Sequence, residues 1–131
     1  MTGSTLEEQI VGKDKTEERA APEMVRGAGV TAVLALLAEG DSYGWELAEH
    51  LADRSEGFLD LGQATLYPLL YNLEAKGLVT SRRERAESGR MRKYYRLTPA
   101  GAKALRRSRS QWRRLVRAMA NLHILDEEQP T

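Results

Sequence analysis

Between Leu78 and Arg117 the chain carries 14 Lys or Arg residues and only two acids, Glu84 and Glu87. The density peaks in Ser88-Gly89-Arg90-Met91-Arg92-Lys93-Tyr94-Tyr95-Arg96, with Arg82, Arg83 and Arg85 a few residues earlier. Guanidinium and ammonium groups crowded in this way do one kind of chemistry well: they displace the counterions of a polyphosphate. The rest of the chain is nearly as acidic as this segment is basic, and the formal net charge of +1 conceals the asymmetry. A near-neutral protein with one basic segment presents a directed electrostatic face. The competing use of the same residues is plain solubility, for a hairpin edge or a solvated helix face.

Other chemistries lack their residues. There is no cysteine, which excludes disulfides and thiolate metal sites. His50 and His123 stand far apart, no metal-ligand spacing or glycine-rich phosphate loop occurs, and no serine has an evident base. No catalytic residue, metal or cofactor is expected. No apolar run approaches the roughly 20 residues of a membrane helix, and the acidic, polar N-terminus is no secretory signal. The expectation is a cytoplasmic protein with no membrane partner.

The basic residues need elements to position them, and the periodicity supplies these. Val30, Val33, Leu34 and Leu37 mark one face of a helix over Val25 to Ala38, stopped by Glu39-Gly40-Asp41. Ser42 is read as the cap of a second helix running to about Arg54, with Tyr43, Leu47 and Leu51 inward. After a connection over 57–62, Leu66, Leu69, Leu70 and Leu73 predict a third helix to about Lys76, with Gly77 at its C′ position. Pro68 removes a backbone donor and is tolerable only near the first turn, so this helix is expected to start at Gln63 to Thr65.

The period then changes to two. Residues 78–85 and 90–97 predict strands around the turn Ala86-Glu87-Ser88-Gly89. Met91, Lys93, Tyr95 and Leu97 share one face, expected to pack on the helices; Arg90, Arg92, Tyr94 and Arg96 share the other, expected to meet solvent or a ligand. Thr98-Pro99 reads as N-cap and N1 of a last helix to about Leu122. The fold class is therefore mainly α with a small β-hairpin: a winged helix-turn-helix plus a C-terminal helix. Residues 1–24 form an N-terminal extension, 25–98 the winged helix-turn-helix, 99–123 a dimerisation helix and 124–131 an acidic tail. Capping patterns at Ser4/Glu7 and Thr5/Glu8 fit a short helix in the extension, interrupted near Gly12; a chain without fixed structure fits equally.

With the leucines inward, Ala64, Tyr67, Pro68 and Tyr71 point away from the core, and Thr65 and Asn72 lie at its margin. The candidate DNA-binding residues are Gln63, Thr65, Tyr67, Tyr71 and Asn72 on the third helix, and Arg82, Arg90, Arg92 and Lys93 on the hairpin, or wing. The helix residues would address base edges or phosphates and the wing would address phosphates. Either tyrosine could instead pack on a neighbouring helix. One winged helix reads a short site, so a homodimer is expected. Leu105, Ser108, Trp112, Leu115, Met119 and Leu122 alternate at spacings of three and four and supply the seam. Trp45, beside Glu46 on the second helix, is read as structural.

Three blocks also resemble the PadR-like family of bacterial transcriptional regulators, over about residues 25–122. Leu36 to Leu47 (LLAEGDSYGWEL) is similar to that family's junction of first and second helices, Ala64 to Val79 (ATLYPLLYNLEAKGLV) to its third helix, and Gly89 to Gly101 (GRMRKYYRLTPAG) to its wing strand and last helix. The family also carries a proline at the position of Pro68. Residues 1–22 have no counterpart in its shared core, and the single last helix is that of its compact branch. The resemblance implies a sequence-specific regulator of transcription, and a repressor acting on an inverted-repeat operator of double-stranded DNA is the leading expectation. It also implies a small aromatic effector held against a tryptophan at the dimer interface, here Trp112, whose other reading is dimer core. The alternative function is a winged-helix protein-interaction module without DNA binding.

Overall fold

The computed structural model describes residues 19–128. The patterns at Ser4/Glu7 and Thr5/Glu8, and the last three residues of the acidic tail, lie outside the described residues. The chain runs α1 (Pro22–Glu39), β1 (Ser42–Tyr43), α2 (Gly44–Arg54), α3 (Gln63–Ala75), β2 (Val79–Arg85), β3 (Met91–Leu97) and α4 (Pro99–Asn121). The predicted fold class is therefore present, with one added strand.

The leucine stripes meet in one core. Val33, Leu34 and Leu37 of α1, Leu47 and Leu51 of α2, and Leu66, Leu70 and Leu73 of α3 are buried together, with Val79 of β2, Tyr95 of β3 and Leu105 of α4 closing it. Leu61, in the connection before α3, joins them. Helix α1 begins three residues earlier than expected, because Pro22 occupies its first turn, where the missing N–H is no loss. Just before it, the Ala20 amide donates to the Phe58 carbonyl at 2.8 Å, and Arg19 pairs with Asp60 at 3.1 Å. The end of the extension is thus tied to the α2–α3 connection.

Ser42 does not cap α2. Ser42 and Tyr43 form a two-residue strand on β3, with Ser42 opposite Tyr95 and Tyr43 opposite Tyr94, giving the order β1-β3-β2. The buried Ser42 hydroxyl donates to Glu46 at 2.7 Å, and Tyr43 takes the N-cap position without a side-chain bond. Tyr43, expected inward, is half-buried on the outer face of the sheet. Pro68 also departs from expectation. Helix α3 starts at Gln63, which places Pro68 in the second turn. The Ala64 carbonyl loses its usual donor there, and since Ala64 and Pro68 are both exposed, water can satisfy it.

Helix α3 ends in a Schellman motif: the Leu78 amide donates to the Leu73 carbonyl and the Gly77 amide to the Glu74 carbonyl, with Gly77 at φ +74°. Helix α4 starts on that turn. The Thr98 hydroxyl accepts from the Gly101 amide at 3.0 Å and donates to the Gly77 carbonyl at 2.6 Å, while the Thr98 amide donates to the Leu78 carbonyl at 3.1 Å. Gly101 is buried so close to this turn that a Cβ on it would lie 2.0 Å from the Leu78 oxygen. Among the described residues, no helix is long and apolar enough to cross a membrane.

Leu105 is a correction to the expected dimer seam. It is only 2% exposed within the single chain, so it belongs to the protomer's own core and is not available to a partner. Ser108, Trp112 and Met119 are half-buried, and Leu115 and Leu122 are exposed.

Candidate nucleic-acid interface

Helix α3 presents Gln63, Thr65, Tyr67, Tyr71 and Asn72 to solvent, as the leucine stripe requires. Tyr71 is 73% exposed, so packing on a neighbouring helix does not explain it. Tyr67 combines both readings. Its ring lies against the backbone of Gly44 at the start of α2, where a Cβ would come within 2.7 Å of the phenolic oxygen, yet the side chain remains 42% exposed. Thr65 and Asn72 border an apolar groove between α1 and α3, on the side away from the wing.

Beside Tyr67 the wing closes a cleft of about 500 Å³, whose walls include Tyr43, Trp45, Tyr67, Arg90, Arg92 and Lys93. The β2–β3 register explains how the cations are arranged. Arg83 faces Lys93, Arg82 faces Tyr94, and Glu84 faces Arg92, so the strands' alternation sends Lys93 to the Tyr95 side and Arg92 to the Tyr43 side. The turn at the tip is closed by the Ala86 amide donating to the Arg90 carbonyl at 2.8 Å, with Gly89 at φ +87°.

Each cation has a distinct environment. The Arg92 guanidinium lies over the Tyr43 ring at 4.3 Å from its centroid, and Tyr43 meets Tyr94 edge-on at 5.6 Å. Lys93 stands 5.4 Å from the centroid of the Tyr95 ring and 3.6 Å from Glu74, whose other oxygen accepts from Ser81. Burial pushes the Tyr95 phenol above its ordinary pKa, so a neutral hydroxyl lines the cleft. Arg82 is more fully engaged than Lys93: it is paired with two carboxylates, Asp41 at 2.6 Å and Glu84 at 2.9 Å.

Asp41 is a residue that sequence reasoning passed over as part of a helix stop. Its carboxylate binds Arg82 of β2 and Arg96 of β3, the latter at 3.1 Å, and so fastens both wing strands to the end of α1. Hydrogen bonding from Arg96, reinforced by Arg82 against a partial desolvation, holds the Asp41 carboxyl below its ordinary value. A carboxylate depressed in the folded state adds stability above its unfolded pKa, and that stability disappears as pH falls through the folded pKa. Asp41→Asn should therefore lower the melting temperature by about 5 °C or less at neutral pH, the scale of a solvent-screened pair. Thermal melts of both proteins should converge in acid, below the usual carboxylate range.

Trp45 also departs from its expected structural role. It is 54% exposed at the mouth of the cleft. Its spacing carried this signal: two residues before Leu47, it falls on the side of α2 opposite the buried Leu47 and Leu51. Trp112, by contrast, is fixed within the protomer: its indole N–H donates to the Thr31 hydroxyl of α1 at 3.1 Å. Among the described residues, no group of three or more His, Asp or Glu could hold a metal ion.

Comparison with known proteins gives a consistent set of likenesses. The sequence model of the transcriptional regulator PadR-like family matches residues 33–107. An uncharacterised protein of Lysinibacillus sphaericus is 30% identical over 90 residues, which span 69% of this chain and 83% of that protein. Transcriptional regulator Rv3488 of Mycobacterium tuberculosis is 49% identical over 53 residues, 40% of this chain and 49% of that one. Among solved structures, a PadR family transcriptional regulator from Eggerthella lenta superposes with a TM-score of 0.68 at 33% identity, covering 93% of this chain and 99% of the other.

Proposed function

The chain belongs to the transcriptional regulator PadR-like family, whose members regulate transcription through DNA, and from that premise we propose a sequence-specific repressor acting as a homodimer on an inverted-repeat operator. One observation carries the DNA side of this reading. The exposed Tyr67 of α3 and the basic residues Arg90, Arg92 and Lys93 of the wing line one cleft. Helix α3 would lie in the major groove, with Gln63, Tyr67 and Tyr71 towards the bases and flanking phosphates, while Arg90, Arg92 and Lys93 grip the backbone beside it. Thr65 and Asn72 would reach the edge of that footprint. Arg82, already paired, would contribute less.

The dimer reading is supported by the end of α4. Leu115, Val116 and Leu122 are exposed there, followed by exposed Ile124 and Leu125, and Ser108, Trp112 and Met119 are only partly covered. An apolar run of this length is unusual on a monomer, and a second copy would cover it. Fluorescence anisotropy with duplex from the gene's own upstream region tests the function directly. Tight binding there, with light scattering at the dimer mass, is expected; affinity no better than for random duplex would defeat the sequence-specific reading.

The effector reading rests on Trp112, whose anchored indole would form one wall of a cavity between two copies. Titration with planar aromatic cations should quench its emission saturably in a Trp45→Phe background. Unchanged emission across such compounds would leave Trp112 as dimer core alone.

A further inference from the structure

We infer that Trp45 is a DNA-contacting residue that packs against a deoxyribose of the operator backbone, fixing one phosphodiester in the cleft between α2, α3 and the wing. The inference rests on the DNA-binding reading and adds to it a contact that carries no charge.

The composition of the cleft selects the ligand. Aromatic side chains (Tyr43, Trp45 and Tyr67) and cations (Arg90, Arg92 and Lys93) line it, and no carboxylate does. Aromatic walls suit the C–H surface of a sugar, and cations suit the phosphate beside it. Neither feature alone would point to a sugar-phosphate chain; their alternation across one cleft does. The walls are also held before any ligand arrives. Tyr67 rests on Gly44, Arg92 lies over Tyr43, and Tyr43 is hydrogen-bonded into the sheet through β1. Trp45 sits between these fixed groups with more than half of its surface in water. Among the described residues its indole N–H has no hydrogen-bond partner in the protein, whereas that of Trp112 has Thr31. A large aromatic side chain left exposed beside cations, on a helix whose other side is buried, is placed for a partner surface rather than for the core.

The test separates this contact from the electrostatic ones. Trp45→Ala should weaken binding to operator and random duplex alike, by about tenfold, the scale of an aromatic contact to nucleic acid. The slope of affinity against salt should stay unchanged, because the number of counterions released is the same. Trp45→Phe should recover most of the affinity, which guards against a folding defect in the alanine variant. Wild-type tryptophan emission should change with the same midpoint as anisotropy, and that change should vanish in Trp45→Phe, whose remaining indole is Trp112. Binding of duplex by Trp45→Ala within twofold of wild type, or emission that stays flat while anisotropy saturates, overturns the inference and leaves DNA binding intact. Failure of the wild-type protein to bind any duplex overturns both.

Discussion

Alanine at Arg90, Arg92 and Lys93 together should weaken binding to every duplex by about a hundredfold at moderate salt, taking ~1 kcal/mol for each solvent-exposed contact to phosphate that is removed. The slope of log affinity against log salt should flatten by about 2.7, since each of the three neutralised phosphates contributes roughly 0.9. Preference for operator over random duplex should survive, because the residues proposed to face the groove remain on α3. The fold should survive as well: these cations hold nothing in the core, the Lys93–Glu74 pair that is lost is a surface one, and the wing is still held by β1 pairing, by Asp41 and by the Ser81–Glu74 hydrogen bond. Anisotropy titrations at several salt concentrations, with melts as control, read all three quantities. Arg82→Ala gives the contrasting case. Its charge is already engaged by Asp41 and Glu84, so its removal should alter the salt slope little and the melting temperature more.

Gly101→Ala should have the largest effect on stability. The added Cβ would lie 2.0 Å from the Leu78 carbonyl oxygen and 2.7 Å from Leu97 Cδ1. The carbonyl cannot retreat, because it already accepts from the Thr98 amide and sits in the turn that ends α3. Helix α4 must therefore lift from the turn, which costs about 3 kcal/mol or more when side chain and backbone packed this closely are forced apart. A domain of this size has only about 5–15 kcal/mol of stability. The melting temperature should fall by more than about 10 °C in calorimetry. Gly27, where a Cβ would meet nothing within 4 Å, is the control: Gly27→Ala in α1 should be neutral or stabilising.

These two sites show what the amino-acid sequence could and could not convey. The wing cations were legible because charge density and a period of two are local properties. The helices were legible through their leucine spacing, and the start of α4 through Thr98-Pro99. Pro22 was an equally local sign of the start of α1 and could have been read as such. What escaped depends on distant partners. A two-residue strand has no periodicity, so Ser42 and Tyr43 become β1 only because Tyr94 and Tyr95 lie beside them. Asp41 acquires its role from Arg82 and Arg96, 41 and 55 residues away. Leu105 fitted the heptad seam by spacing, but spacing cannot tell which of two apolar surfaces, the chain's own core or a partner's helix, will take a given leucine. Gly101 carries no local sign of its role, and only the approach of Leu78 makes it indispensable.

The wing is held by β1, by Asp41 and, on α3, by Glu74 alone among its polar residues, and this has an engineering consequence. Tyr71, Gln63, Thr65 and Asn72 are exposed and hold no part of the wing in place. They can be randomised together while the distance between recognition helix and wing stays constant. A library built on those four positions should therefore yield proteins that prefer different operators yet share one salt dependence and one melting temperature. On the proposed function, the choice of target and the strength of grip would be separately adjustable.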